Sequence, residues 1–193
     1  MRSLAAISIA FALGGCQPRT EIVLGFVSDM KVPSPLAAVS LDVERMDVTI
    51  VQGNWPANGT LALPGTYGIY SSDGSEVPVA IDLTAIRDGQ PSFSRSATVT
   101  LQSGRTLFLR LALASSCANV QCAGGTGCVE GACVSTEVDP RALPDYSPEL
   151  ATTIECDSGT TYVDSSTGAP LTPLGACPVG KSCREGVCYS DIQ

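Results

Sequence analysis

Histidine is absent from the 193 residues, lysine occurs only at positions 31 and 181, and aromatic side chains make up 5% of the chain. Without His, the chain lacks the commonest general base, the commonest metal ligand and the side chain whose ordinary pKa lies nearest neutrality. Most familiar hydrolytic mechanisms go with it. The shortage of cations leaves a net charge of -8 and no cluster of Lys or Arg. A nucleic-acid backbone is repelled, and polybasic docking to anionic lipid is excluded. With few rings, a core must be filled by Val, Leu, Ile and Ala, and the 44% hydrophobic content is ordinary for a chain that folds. No Cys lies between 17 and 116, whereas eight of the nine fall between 117 and 188. Crowding of that kind points to oxidation in an exported protein.

The N-terminus explains the export. Arg2 supplies a positive start, Leu4 to Leu13 is apolar except for Ser8, and Gly14 and Gly15 are small. This is the grammar of a signal peptide. A membrane-spanning helix needs about 20 apolar residues, which this run does not reach. Leu13-Gly14-Gly15-Cys16 resembles the lipobox of bacterial lipoproteins. The resemblance implies cleavage of residues 1–15 and acylation of Cys16, tethered through 16–20 to a bilayer by two or three chains, enough for stable anchoring. Lipidating Cys16 also leaves an even number of cysteines to pair. Loss of Arg2 makes the mature net charge -9, with 10 basic and 19 acidic side chains. By the same resemblance, Gln17 after the lipidated residue favours the outer membrane over the inner one.

From 21 to 114 the pattern has period two. Ile22, Leu24 and Phe26; Val39, Leu41 and Val43; Met46, Val48 and Ile50; Leu61 and Leu63; Val79, Ile81 and Leu83; Ala97, Val99 and Leu101; and Leu107 to Leu113 each read as a strand with one buried side. Turn signals separate them: Pro33-Ser34-Pro35, Asn58-Gly59, Pro64-Gly65, Asp73-Gly74, Asp88-Gly89 and Ser103-Gly104. About seven short strands of this kind predict an all-β fold, an antiparallel β-sandwich. The spacing is similar to immunoglobulin-like and transthyretin-like domains of bacterial envelopes, without the paired cysteines and intervening Trp of true immunoglobulin domains. The single Trp55, beside Pro56 in an expected loop, reads as a half-buried plug.

Two small disulfide-rich modules are expected after the sandwich, at 117–134 and 156–190. Cys122-Ala-Gly-Gly-Thr-Gly-Cys128-Val-Glu-Gly-Ala-Cys133 aligns without a gap to Cys177-Pro-Val-Gly-Lys-Ser-Cys183-Arg-Glu-Gly-Val-Cys188. The two segments share three Cys, an inner Gly and a Glu-Gly pair, an internal repeat. Cys117 precedes the first and Cys156 the second. Residues 117–133 hold only Val120 and Val129 as sizeable apolar side chains, so crosslinks must stabilise the unit. A disulfide closing such a loop contributes roughly 3 kcal/mol. Spacing alone does not choose among the possible pairings. The modules resemble abbreviated EGF-like repeats, which implies first-to-third and second-to-fourth linkage, Cys117 with Cys128 and Cys122 with Cys133. Zinc sites are the rival reading, but neither cluster has a C-x2-C knuckle and an exported chain meets an oxidising compartment. Residues 135–155 read as an extended linker, with Leu143, Tyr146 and Leu150 as the side chains able to pack on a neighbour.

Motifs that could carry chemistry are few. Ser28-Asp29-Met30-Lys31 matches the S-x-x-K pattern of penicillin-binding enzymes, but it ends a strand and lacks the companion S-D-N and K-T-G elements. Asp82 and Asp88 fall on a solvated strand face and in a turn, an unpromising acid–base pair. Asp157 and Asp164 lack calcium-loop spacing, and Asn58-Gly59-Thr60 reads as a hairpin turn before it reads as a glycosylation site. No catalytic, cofactor-binding or metal site is expected. The arrangement resembles envelope lipoproteins of myxobacterial type. It implies a non-catalytic module, lipid-anchored in the cell envelope at the outer membrane, with structural, display or protein- or glycan-binding work. The alternatives are a disulfide-rich protease inhibitor presenting a loop such as Gly159 to Gly175, and a hydrolase relying on carboxylates.

Overall fold

The computed structural model describes residues 19–56 and 62–192. Cys16, Gln17, Leu61 and the Asn58-Gly59-Thr60 turn lie outside the described residues. The alternating segments form β1 (Glu21–Ser28), β2 (Ala38–Arg45), β3 (Val48–Pro56), β4 (Gly65–Tyr70), β5 (Pro78–Arg87), β6 (Gln90–Thr100) and β7 (Thr106–Leu113). The cysteine-rich half adds β8 (Thr126–Val129), β9 (Ala132–Ser135), β10 (Glu137–Val138), the short helix α1 (Pro148–Thr152), β11 (Ile154–Cys156), β12 (Pro173–Gly175), β13 (Lys181–Arg184) and β14 (Val187–Ser190). The protein is thus all-β, with four disulfides in its C-terminal region.

Two sheets face one another, ordered β4-β1-β7 and β10-β6-β5-β2-β3. Between them Ile22, Leu24, Leu109 and Leu111 meet Val39, Leu41, Ile81, Leu83 and Val99, all buried. Each such side chain contributes about 1.5–3 kcal/mol by leaving water. Hairpins β2–β3 and β5–β6 are antiparallel, as is β2 on β5, while β1 runs parallel to β7. That parallel pair is a departure from the wholly antiparallel sandwich expected, and the intervening β2–β6 supplies the long crossover it requires.

Three local expectations are corrected. First, β1 and β7 are buried on both faces rather than one, because residues 143–163 lie over the outside of their sheet. Leu143 and Leu150 join the main core, and Val27, Ala112, Ile154 and Tyr162 form a second cluster. The stretch expected as an extended linker is therefore packed on the sandwich: Glu137–Val138 is an edge strand beside β6, and the residues from 147 on cover the outer sheet face. Between them, residues 144–146 follow the edge of β7 through hydrogen bonds from Phe108 N to Pro144 O and from Tyr146 N to Thr106 O. Second, Met46, Val48 and Ile50 do not face the core; they are 70%, 61% and 47% exposed. Met46 and Asp47 form the hairpin turn with φ of 50° and 60°, and a bulge between Val43 and Glu44 shifts the register. A shift of one residue exchanges the faces of a strand, so Val51 and Trp55 point inward instead. Third, Leu63 lies outside any strand, ahead of β4, and Trp55 belongs to β3 rather than to a loop.

Candidate functional site

The repeated Glu-Gly pair builds the junction between the two halves. Glu130-Gly131 and Glu185-Gly186 are the two-residue tips of hairpins β8–β9 and β13–β14, with φ of 50° and 90° in one and 51° and 73° in the other. Positive φ at both positions is the twist a tight hairpin needs, and Gly supplies it freely at the second. Asn, Asp or Gly is the ordinary residue at the first. Glu there accepts backbone strain, and its carboxylate explains why.

Glu185 enters the side of the sandwich between β6 and β7. Its Oε1 accepts from Arg95 Nε and from the Ala112 amide, each at 2.8 Å, and its Oε2 accepts from the second Arg95 nitrogen at 3.1 Å. Both side chains are buried, 3% and 0% exposed. The ion pair opposes the desolvation of Arg95 and holds its pKa above the ordinary guanidinium value. Glu130 in turn accepts from Tyr162 OH, Ser158 Oγ and the Glu185 amide. Burial first, and the Glu130 hydrogen bond second, push the Tyr162 hydroxyl far above the usual phenol range.

Arg110 lies nearby with no exposed surface. Its guanidinium donates to Thr153 O at 3.0 Å and to Leu150 O, and its carbon stands 5.3 Å from the centre of the Phe108 ring. Burial lowers its pKa, with Tyr189, Tyr162, Glu185 and Glu155 opposing. The Tyr189 hydroxyl, itself pushed above its ordinary range by burial, accepts from the Arg110 amide at 3.0 Å. Chemically this set is a clasp. Its carboxylate oxygens are occupied by fixed donors, which suits holding two surfaces together.

The cysteines pair as Cys117–Cys128, Cys122–Cys133, Cys156–Cys183 and Cys177–Cys188. Both modules are linked first to third and second to fourth. The sulfurs of Cys156, Cys177 and Cys188 lie within 4.8 Å of one another, a cluster that consists of two adjacent disulfides and offers no thiolate.

The other residues singled out in the sequence have local structural work. Ser28 Oγ is buried, donating to Leu113 O at 2.7 Å and accepting from the Met30 amide, while Asp29 accepts from Ser115 and Lys31 is exposed. The S-x-x-K match is therefore a strand end. Asp82 accepts from Ser96 Oγ on an exposed face and Asp88 sits in the β5–β6 turn. Asp157 accepts from the Gly159 amide and Asp164 from the amides of Ser166 and Thr167, each bracing its own turn. The Gly159–Gly175 loop is pinned rather than protruding in its first half. Val163 N donates to Ser28 O, Ser165 N donates to Leu63 O, and Leu63 N donates to Ser165 Oγ.

Among the described residues, the opposite side of the sandwich is open. Strands β3 and β4 end their respective sheets, and between them a groove of about 340 Å³ is lined by Phe26, Val39, Trp55, Pro64 and Tyr67. Trp55 folds across Gly53, where a Cβ would meet the ring at 2.4 Å, and its centroid is 6.0 Å from that of Tyr67. It is half-buried and leaves one wall of the groove accessible.

The residues missed at the sequence level were Arg95, Arg110, Glu130, Glu185, Tyr162 and Tyr189. Signals existed for four of them. Arg110 interrupts an apolar run, Arg95 occupies an inward step of β6, and the two Glu belong to the repeat.

Fold and junction together define a class: a β-sandwich clasped along one side by two disulfide-linked hairpin modules. No family model, curated protein or solved structure matches the chain.

Proposed function

We propose that this chain is a lipid-anchored, non-catalytic lipoprotein of the bacterial cell envelope, held through acylated Cys16 and displaying one stiff body that binds protein or glycan partners. The observation that supports it best is the clasp. Among the described residues the buried Arg95 and Glu185 pair with each other and join a module hairpin to β6 and β7, the half-buried Glu130 ties the two modules together, and the buried Arg110 guanidinium is held by the Leu150 and Thr153 carbonyls. Four disulfides add the resistance that an extracytoplasmic part requires. The lipobox-like Leu13-Gly14-Gly15-Cys16 supplies the tether, and Gln17 favours the outer membrane. In this reading the two modules, similar to EGF-like repeats in spacing, act as braces rather than as beads on a string.

The test is expression in a bacterial host with labelled palmitate. The wild type incorporates label and is cleaved in a globomycin-sensitive step, and Cys16→Ser abolishes both. Equal labelling of the mutant overturns the anchor. Cross-linking of the anchored protein in its native envelope then identifies what it binds, and turnover of a peptide or glycan by the purified mature chain overturns the non-catalytic part. A second reading, a disulfide-framed protease inhibitor, draws on the exposed Leu174 and Val179, which flank Cys177 and its disulfide to Cys188. Stoichiometric inhibition of an envelope or secreted protease, lost in Leu174→Asp or Val179→Asp, is its signature.

A further inference from the structure

The two sides of the sandwich are treated differently by the chain itself. On the closed side, β10 adds to β6, Thr98 N donates to Thr136 O, residues 144–146 run along β7 and Glu185 fills the gap. On the open side, no described strand pairs with the outer edge of β3, which presents a row of backbone donors and acceptors. A free edge invites pairing with another strand, and proteins ordinarily guard it with charge, Pro or a bulge. Here the bulge lies at the far end, beside Glu44, and Pro56 closes the strand. The stretch between, Thr49 to Trp55, contains no charged residue. Val48 before it and Ile50 within it are exposed.

We infer that the β3 edge is a docking site for an extended cationic peptide segment of a partner protein, alternating apolar and basic residues. Strand addition supplies main-chain hydrogen bonds, and side chains on alternate positions choose the partner. The added strand's inward side chains fall beside Val51 and Trp55, over the apolar groove. Its outward side chains fall beside Gln52 and Asn54. One strand further in, about 5 Å on, lies Asp42, directly opposite Asp82 on β5. Like charges opposed across a sheet are unfavourable. Each carboxylate keeps only a neutral donor, Gln52 Nε2 for Asp42 and Ser96 Oγ for Asp82. Glu44 extends the acidic strip along β2, and the nearby Arg45 is engaged with Ser75. A Lys or Arg reaching across Gln52 relieves the repulsion. The same strip and the net charge of -8 disfavour a second copy of the chain at this edge.

The inference rests on the reading of the chain as a binding module and names its surface. Palmitate labelling and envelope cross-linking test that reading separately, so failure here leaves it standing. The experiment is residue-resolved hydrogen exchange of the oxidised mature chain with a short peptide of alternating Val and Lys, and with one of alternating Val and Glu. The Val–Lys peptide is expected to slow the outward β3 amides by about tenfold or more. The Val–Glu peptide leaves them unchanged, and high salt removes the protection. Ile50→Lys, at an exposed position, abolishes the effect. Asp42→Asn weakens it without altering the edge, a control should the first variant fold poorly. Absence of β3 protection, equal protection by the two peptides, or protection that grows with protein concentration alone overturns the inference.

Discussion

The carboxylate of Glu130 accepts the backbone amide of Glu185 at 3.2 Å, so the tips of the two repeated hairpins touch through the residue they share. One tip reaches into the sandwich and the other holds it there. Removing either partner of the buried Arg95–Glu185 pair strands a charge where water cannot reach it, and such losses cost about 3–5 kcal/mol. Glu185→Ala and Arg95→Ala are each expected to lower unfolding stability by that amount. Arg95→Met combined with Glu185→Leu should cost clearly less than either single change. Denaturant unfolding of the oxidised proteins measures all three, and additive losses contradict the coupling.

Glu130 tests the clasp from the other side. Asn suits the left-handed backbone of a hairpin tip better than Glu, yet its shorter side chain cannot keep the contacts to Tyr162, Ser158 and the Glu185 amide. Glu130→Asn is therefore expected to destabilise by about 1–3 kcal/mol, the cost of leaving buried partners unsatisfied. A stabilised variant would show that turn propensity, and not the carboxylate, governs this position.

Stability should fall at alkaline pH. Burial raises the pKa values of Tyr162 and Tyr189 above their unfolded values. Their contribution is complete below the unfolded phenol pKa of about 10 and is lost as pH rises beyond it, because only the unfolded chain then releases these protons. Two such groups give a slope of about 2.7 kcal/mol per pH unit above that point. The check is unfolding stability measured rapidly at a series of alkaline pH values. In Tyr162→Phe the slope should be shallower, and an unchanged slope contradicts the assignment.

Much of this architecture was legible, and the gaps have physical reasons. Val39, Leu41 and Val43, or Val79, Ile81 and Leu83, face the core as their alternation requires, because those strands are central and have one wet face. Val48 and Ile50 misled because they show the same alternation on an edge strand, where a turn and a bulge displace the register by a step that periodicity cannot report. Strands β1 and β7 read as half-buried because the layer over them comes from residues 143–163, far along the chain. Leu143, Tyr146 and Leu150 hinted at that layer, but three apolar side chains among prolines do not name the surface they meet. The clasp was least legible. Its charges are unremarkable one at a time, and only the fold brings Arg95 to within hydrogen-bonding distance of Glu185.

The disulfides should differ in access. Cys122 and Cys133 are both at least partly exposed, whereas Cys156 is buried. Under mild reductant, Cys122–Cys133 is expected to open first and Cys156–Cys183 to persist, because exchange requires a thiolate to reach the sulfur. Alkylation and mass spectrometry at successive times give the order. Replacing Cys156 and Cys183 by Ser should cost about 3.5 kcal/mol, for the longer loop it frees.

A stiff display body requires the modules and the sandwich to open as one, and native-state hydrogen exchange of the oxidised chain measures that most directly. The amides of Glu185 and Ala112, one on each side of the clasp, are expected to open with the same free energy as the core amides of β1 and β7, in a single cooperative unit. Glu130→Asn should lower them together. If the amide of Glu185 and those of β13 and β14 instead exchange through a separate, cheaper opening while β1 and β7 stay protected, the modules are independent beads and the stiff display body proposed here does not exist.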